Sequence, residues 1–435
     1  VNRQADRRLQ KSDAVVIFRA KFGETLVSDL KAKVVILGAG HAGGAMAAFL
    51  RQAGHEGPIV LIGEEPIGPY QRPPLSKAWL KGEADADSLA LKEPSWYAGN
   101  NCDLRLGVRA TGLNRGEKVV TLSTGETVTY DIMVFATGAR ARKLPIPGAD
   151  LKGVLELRTA ADAEQLKAAL GEGRRLAIIG GGYVGLEAAA SARALGAHAM
   201  VLEREPRILA RVACEELSGF FTAYHRSKGV AFELGVQIAA FEGEAGHIRR
   251  VRLADGRAID CDAALVGIGA IPNDDLAKDA GLECVGGIVV DLDARTADPS
   301  VFAIGDVTHR PLPLYDRMVR LESVPNALEQ AKVAAGVIAG KPPLTPEVPW
   351  FWSDQFDLKL QIAGMPFDAD TILVRGDPAT AKFAVFHLKG DQIQAVEAVN
   401  SAPEFMMGRQ LIGNRKAISR EKLANTAISM KEVVA

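Results

Sequence analysis

Gly38-Ala39-Gly40-His41-Ala42-Gly43 closes the apolar run Lys33-Val34-Val35-Ile36-Leu37 and opens an alanine-rich stretch over 42–50 that stops at Gly54. A short strand of the buried type, a glycine turn and a helix with a glycine stop make the first half of a βαβ unit. The returning strand is Ile59-Val60-Leu61-Ile62, and Glu64 follows it, 21 residues past Gly43. The same grammar recurs 142 residues later. Leu176-Ala177-Ile178-Ile179 leads into Gly180-Gly181-Gly182-Tyr183-Val184-Gly185, a helix is predicted over 186–195, and the strand Ala199-Met200-Val201-Leu202 ends at Glu203, 18 residues past Gly185. A repeat whose period is a whole domain predicts two nucleotide-binding domains rather than a solenoid.

Each glycine has a mechanical task. Gly38 and Gly180 make the tight turn, Gly40 and Gly182 admit a pyrophosphate against the backbone, and Gly43 and Gly185 let the helix pack on its strand. The helix N-terminus then presents unpaired N–H groups and partial positive charge to the phosphates. Glu64 and Glu203 stand where a carboxylate accepts hydrogen bonds from ribose hydroxyls. Three further strand ends carry glycine, which lets backbone approach a ligand closely: Ala136-Thr137-Gly138, Gly267-Ile268-Gly269 and Gly305-Asp306.

From Trp350 the texture changes to alternating strands such as Phe383-Ala384-Val385-Phe386-His387-Leu388, after the linker Lys341-Pro342-Pro343-Leu344-Thr345-Pro346. The expected fold is α/β: two Rossmann-like dinucleotide-binding domains plus an α+β domain at the C-terminus. The expected boundaries are an N-terminal extension over 1–30, a first nucleotide domain of 31–137 and 266–341, a second of 138–265, and a C-terminal interface domain over 342–435.

The chain has 435 residues, 48% hydrophobic and 24% charged, which fits an ordinary globular protein of two or three domains. Its net charge of −1 argues against a polyanion such as nucleic acid as the main partner. Its apolar runs are too short to span a bilayer. Cys102, Cys214, Cys261 and Cys284 have no CxxC spacing, so they are expected to be reduced thiols in a cytoplasmic protein. Residues 1–11 are rich in Arg, Lys and Gln without an apolar core, unlike a secretory signal.

Two dinucleotides held by one polypeptide indicate electron passage between a nicotinamide and a flavin. The insertion over 66–101 suits a large, permanently held cofactor, so FAD is assigned to the first site. NADH is assigned to the compact second one. Glu203 disfavours a 2′-phosphate, although Arg204, Arg207 and Arg211 nearby are of the type that accommodates one. Gly182, Tyr183, Val184 and Glu187 line the approach to the nicotinamide, with Gly267 and Gly269 on the other side. Residues 44–92 contain no cysteine, which excludes the reactive thiols of disulfide reductases. The seven histidines and four cysteines form no iron–sulfur or zinc ligand set by spacing, so no metal is expected. Electrons must leave for a centre on another molecule.

Gly68-Pro69-Tyr70-Gln71-Arg72-Pro73-Pro74-Leu75-Ser76-Lys77, Ala136-Thr137-Gly138-Ala139-Arg140, the second fingerprint through Glu187, Arg320-Leu321-Glu322-Ser323-Val324-Pro325-Asn326-Ala327 and Pro349-Trp350-Phe351-Trp352-Ser353-Asp354-Gln355 carry a resemblance. From about Lys33 to its end the chain resembles the oxygenase-coupled NADH–ferredoxin reductases, of the putidaredoxin-reductase type and the kind that serves ring-hydroxylating dioxygenases, with a glutathione-reductase-like fold. The resemblance implies that Ala42, Glu64, Arg72, Lys77, Ala110, Arg158, Asp306, Val324 and Trp352 contact FAD and that Arg211 contacts NAD. It implies a Lys77–Glu187 ion pair beside the flavin, Tyr183 gating its face, and a helix from about Ser323 aimed at the flavin pyrimidine edge. Trp352 would face the partner, a two-iron two-sulfur ferredoxin that supplies a monooxygenase or Rieske-type dioxygenase. Lys332, Arg409, Arg415 and Lys416 are candidate docking charges for it. The oligomer is expected to be a monomer or homodimer. Alternatives on the same scaffold are monodehydroascorbate or rubredoxin reduction, and an apoptosis-inducing-factor-like NADH-sensing switch.

Overall fold

The computed structural model describes residues 29–435. The extension expected over 1–30 lies outside them except for its last two residues. Of these, Leu30 is tied down by its carbonyl, which accepts the Glu56 and Gly57 N–H groups. By density of contacts the described chain forms two compact units. The first comprises 29–71, Ala86–Arg140 and Ile271–Pro349; the second comprises Arg72–Asp85, Ala141–Ala270 and Trp350–Ala435. Contact density thus groups Arg72–Asp85, and everything from Trp350 onward, with the second fingerprint.

The first unit is built on a parallel five-stranded sheet in the order Val301–Ala303, Ile132–Phe135, Val34–Leu37, Ile59–Gly63, Cys102–Leu106. The strand Val34–Leu37 lies at its centre and is buried throughout, as its unbroken apolar run requires. Alternate residues point to opposite faces. Val34, Ile36, Ile59 and Leu61 pack with the helices His41–Gln52 and Val324–Ile338, while Val35, Leu37, Val60 and Ile62 pack with Val120, Leu122 and Val128 of an antiparallel meander over Ala110–Asn114, Val119–Leu122 and Thr127–Thr129.

The second unit repeats the plan. Its parallel sheet runs Ala231–Leu234, His198–Glu203, Arg175–Ile179, Ala263–Val266, Val154–Leu155, flanked by the helix Tyr183–Ala194 and by a three-stranded antiparallel sheet over Ile238–Glu244, His247–Leu253 and Ala258–Asp260. The same unit contains a five-stranded antiparallel sheet in the order Trp350–Gln355, Leu358–Gly364, Gln392–Val399, Lys382–Lys389, Thr371–Asp377, covered by the helix Ala402–Asn414. The α/β class with two Rossmann-like halves and an α+β C-terminal part is the one the sequence pattern predicts.

The two fingerprints superpose in conformation as well as in spelling. Gly38 has φ +113° and Gly180 φ +107°, and a Cβ on either would lie 2.2 or 2.5 Å from the carbonyl oxygen of Ala136 or Gly267. At the third glycine the constraint is purely steric: a Cβ on Gly43 would sit 1.9 Å from the Gly38 carbonyl oxygen. Gly219 is the contrast, exposed in the helix Glu215–Ser227 with nothing within 4 Å of its would-be Cβ. Gly43→Ala should therefore destabilise by about 1–3 kcal/mol or more, as overpacking does, whereas Gly219→Ala should stabilise by about 0.5–1 kcal/mol. Thermal unfolding midpoints check both, and equal shifts of one sign would contradict the packing described.

Candidate functional site

Both fingerprint helices start on glycine without a side-chain cap, Gly40 for His41–Gln52 and Gly182 for Tyr183–Ala194. The helices Ala160–Ala169, Glu215–Ser227 and Val324–Ile338 are instead each capped by a side chain, from Thr159, Cys214 and Ser323. The uncapped N–H groups need an acceptor, and a Cβ on Gly182 would meet nothing within 4 Å. The residues present therefore fit a dinucleotide phosphate at each helix start.

In the first unit, Ala42 and Ala136 are buried beside the turn. Thr137 and Gly138 are locked to Asn273: Thr137 Oγ1 donates to the Asn273 carbonyl at 2.8 Å, Asn273 Nδ2 donates to the Thr137 carbonyl at 2.9 Å, and the Asn273 N–H donates to the Gly138 carbonyl at 2.9 Å. Asp306 lies in the one-turn helix Gly305–Val307 after the strand Val301–Ala303. Gln330 holds that turn, its Oε1 accepting the Gly305 N–H at 2.9 Å and the Thr308 hydroxyl at 3.0 Å. Val324 is the first residue of the helix Val324–Ile338, where Ser323 caps and Pro325 fits the first turn. Ala110 begins the strand Ala110–Asn114. Glu64 is exposed just past the strand Ile59–Gly63, with Arg109 3.8 Å away. Lys332 is exposed.

In the second unit the structure brings Lys77 and Glu187 together at 2.8 Å. Glu187 is only 6% exposed, on the buried face of an alanine-rich helix. A carboxylate there is costly unless paired and hydrogen-bonded. Besides Lys77, the hydroxyl of Ser76 donates to Oε2, and that of Ser353 donates to Oε1 at 2.7 Å. Behind Ser353 stands Gln355, whose Nε2 donates to the Ser353 oxygen at 3.1 Å and whose Oε1 lies 2.8 Å from His225 Nε2. Ser76, Ser353, Gln355 and His225 are site-supporting residues that sequence reasoning passed over. Ser76 and Ser353 stand inside motifs quoted for their neighbours, which is the signal that was there to use. Arg72 donates to the Arg158 carbonyl, joining those two.

Tyr183 opens the second fingerprint helix. Its hydroxyl donates to the Val212 carbonyl at 3.3 Å and its ring meets Phe351 edge-on at 4.7 Å. Burial, with Glu397 and Cys214 nearby, holds its phenol well above the ordinary range, so it stays protonated. Val184 is exposed. The Glu203 carboxylate accepts the Gly181 N–H at 2.6 Å and the Glu205 N–H at 2.9 Å, so it braces the glycine turn. The three arginines differ. Arg207 spends its guanidinium on the carbonyls of Ala210 and Ala213 and on Ser218 Oγ, Arg204 pairs with Glu205, and Arg211 is exposed. Trp352 lies 5.7 Å from the ring of Trp350, over which Arg409 sits at 5.4 Å. Arg415 and Lys416 are exposed after the helix Ala402–Asn414. Cys102, Cys214 and Cys261 are buried and Cys284 half-buried, all four unpaired. Cys214 approaches His387 and Glu397, a grouping that spacing along the chain does not reveal. Among the described residues no helix is long and apolar enough to cross a membrane.

The family described as pyridine nucleotide-disulphide oxidoreductase matches residues 32–331, and that described as Reductase C-terminal matches 350–434. The chain is 51% identical to the probable ferredoxin reductase CtmF of Castellaniella defragrans over 92% of its own length and 98% of the relative's. It is 41% identical to putidaredoxin reductase CamA of Pseudomonas putida, covering 92% and 96% of the two chains. Among solved structures it matches the covalent putidaredoxin reductase–putidaredoxin complex with a TM-score of 0.90 at 41% identity, covering 92% and 98%.

His225 supplies a pH test of the network behind Glu187. Burial pushes its imidazole down to about 4, against a partial rise from Gln355. A pKa lowered on folding means that the unfolded chain binds the extra proton first. Stability is then complete above pH ~6.5 and is lost as pH falls from there to ~4, by about 3 kcal/mol in all. His225→Gln should flatten that part of the stability–pH profile. A wild-type profile already flat between pH 6.5 and 4 would contradict the buried neutral imidazole.

Proposed function

Because the chain belongs to the pyridine nucleotide-disulphide oxidoreductase family and, within it, to the ferredoxin reductases, we propose that it passes electrons from NADH through FAD to a two-iron two-sulfur ferredoxin that supplies an oxygenase. One observation carries the reading. A single helix, Tyr183–Ala194, offers an uncapped dinucleotide-binding N-terminus and, one turn on, the Glu187–Lys77 pair.

In this reading 31–137 and 266–341 bind FAD, 138–265 bind NAD, and 342–435 form the interface domain. Gly38, Gly40 and Gly43 shape the turn that receives the FAD pyrophosphate, Glu64 binds its ribose, and Asp306 its ribityl chain, with Ala42, Arg72, Ala110, Ala136, Thr137, Gly138, Arg158, Val324 and Trp352 as further contacts. Gly180, Gly182, Val184, Gly185, Glu203, Arg211, Gly267 and Gly269 receive NADH. When bound, FAD supplies the exchange between a two-electron donor and a one-electron acceptor. The chain's own residues set the field for it. Lys77 puts a positive charge where negative charge builds, and Glu187, fixed by Ser76 and Ser353, holds that ammonium in place. Tyr183 covers the nicotinamide approach from a seat between Val212 and Phe351. The commitment of Arg207 to its own loop supports NADH, since it withdraws one of the three cations available to a 2′-phosphate.

Rapid mixing with NADH and then with a two-iron ferredoxin tests the reading. Fast turnover falling steeply with salt is expected. Turnover that ignores salt counts against docking through Arg409, Arg415, Lys416 or Lys332. Slow reduction with no transfer to ferredoxin, or transfer only to rubredoxin or the ascorbyl radical, would overturn the proposed acceptor. On the nucleotide side, kcat/KM for NADH should exceed that for NADPH by about 100-fold or more, since opposing a carboxylate to a phosphate costs several kcal/mol. Comparable values would refute the role given to Glu203.

A further inference from the structure

Cys214 caps the helix Glu215–Ser227, its sulfur accepting the Leu217 N–H at 3.4 Å, while His387 and Glu397 lie on the neighbouring antiparallel strands Lys382–Lys389 and Gln392–Val399. One ligand atom of each lies within 4.8 Å of the others, and all three residues are buried. Cys214 Sγ stands 2.9 Å from Glu397 Oε2, and His387 Nε2 stands 3.5 Å from Glu397 Oε1. That imidazole nitrogen is sealed from solvent with no hydrogen-bond partner. Glu397 is 3% exposed, and no lysine or arginine among the described residues pairs with it. Among the described residues Glu397 thus accepts only from Cys214, and the His387 ring nitrogen faces it without completing a hydrogen bond. A buried carboxylate and imidazole so weakly satisfied are costly, and one ion bound by both removes that cost.

We infer that Cys214, His387 and Glu397 form a binding site for a single thiophilic divalent cation of the zinc type. Thiolate, imidazole and carboxylate are the donors that zinc takes, whereas magnesium and calcium want oxygen alone. Thiolate and carboxylate together bring two negative charges, so a divalent ion leaves the cluster neutral, the state that a low-dielectric interior disfavours least. Zinc bonds of ~2.0–2.3 Å set tetrahedral ligands ~3.3–3.8 Å apart. The separations found here, 2.9 Å to one Glu397 oxygen and 3.5 Å to the other, are of that order. On binding, the Cys214 S–H bond breaks, the sulfur's electron pair goes to the metal and the proton leaves to solvent. A water completes the fourth position, as in sites with three protein ligands. The filled site pins the helix cap at Cys214 to two strands of the C-terminal sheet. It also changes the charge felt by Tyr183, which both Cys214 and Glu397 influence. Neither consequence depends on the electron acceptor proposed above.

The test uses the full-length flavin-loaded protein, stripped with a chelator and dialysed against buffered Zn²⁺, with bound metal read by elemental analysis and Co²⁺ used as a spectroscopic substitute. One zinc per chain should be retained, and cobalt should show a thiolate charge-transfer band with tetrahedral d–d absorption. Cys214→Ser and His387→Gln should each weaken retention by more than the ~10–100-fold that losing an outer-shell partner costs, while Cys284→Ser should leave it unchanged. In the unaltered protein, zinc should also protect Cys214 from alkylation, followed by peptide mass, so the test survives a variant that fails to fold. The inference is overturned if the wild type retains no stoichiometric zinc. It is equally overturned by an octahedral cobalt spectrum without a thiolate band, or by retention that the Cys214→Ser, His387→Gln double variant matches.

Discussion

Two backbone-on-backbone contacts govern this molecule: Gly43 against the Gly38 carbonyl and Gly185 against the Gly180 carbonyl, neither with room for a Cβ. They set how closely each helix lies on its sheet and aim its first, uncapped N–H groups past the end of the central strand. Much else follows from that approach. Many of the buried helix positions are small, Ala45 and Ala47 in one helix and Ala188, Ala189 and Ala192 in the other, beside the larger Met46, Leu50 and Leu186. The neighbouring strand ends must also be free of bulk, and accordingly the Gly38 and Gly180 turns press on the carbonyls of Ala136 and Gly267.

Against this background Glu187 is the residue that breaks the local rule. Its helix turns a small apolar face inward, and a carboxylate on that face loses water it can replace only with fixed donors. The structure supplies Lys77, Ser76 and Ser353, and then a second layer, Gln355 and His225. Each hydrogen bond in the line from His225 through Gln355 and Ser353 can donate toward the carboxylate, so their dipoles add at the place where negative charge is held. Only the outer nitrogen of the line, His225 Nδ1, is buried without a hydrogen-bond partner. Such a concentration of buried polarity departs from what packing favours and is expected at a functional site.

Glu203 and Arg207 show the same economy at the nucleotide end. Each belongs to a residue type that reads a ribose or its phosphate, yet in this chain each also has a structural task. Glu203 braces the turn at Gly181, and Arg207 closes the loop through Ala210 and Ala213. The preference for one coenzyme therefore depends on which groups are already committed, which a count of charges near the fingerprint does not tell.

Glycine spacing and apolar period, read along the chain, determine the two βαβ units, the long insertion after the first, the change of texture at Trp350 and hence the α/β class, because each is written in residues a few positions apart. The strands Val34–Leu37, Ile132–Phe135 and Ala263–Val266 stand where their unbroken apolar runs say they should. What lies between distant segments is different. Ser76 meets Glu187 across 111 residues, Glu187 meets Ser353 across 166, and Cys214 meets Glu397 across 183. A serine, a glutamine or a histidine carries no local mark of the partner it will have, because the free energy of that contact exists only after burial has stripped both groups of water. Period and turn chemistry thus settled the scaffold, while tertiary packing alone decided which polar groups would be forced to share it.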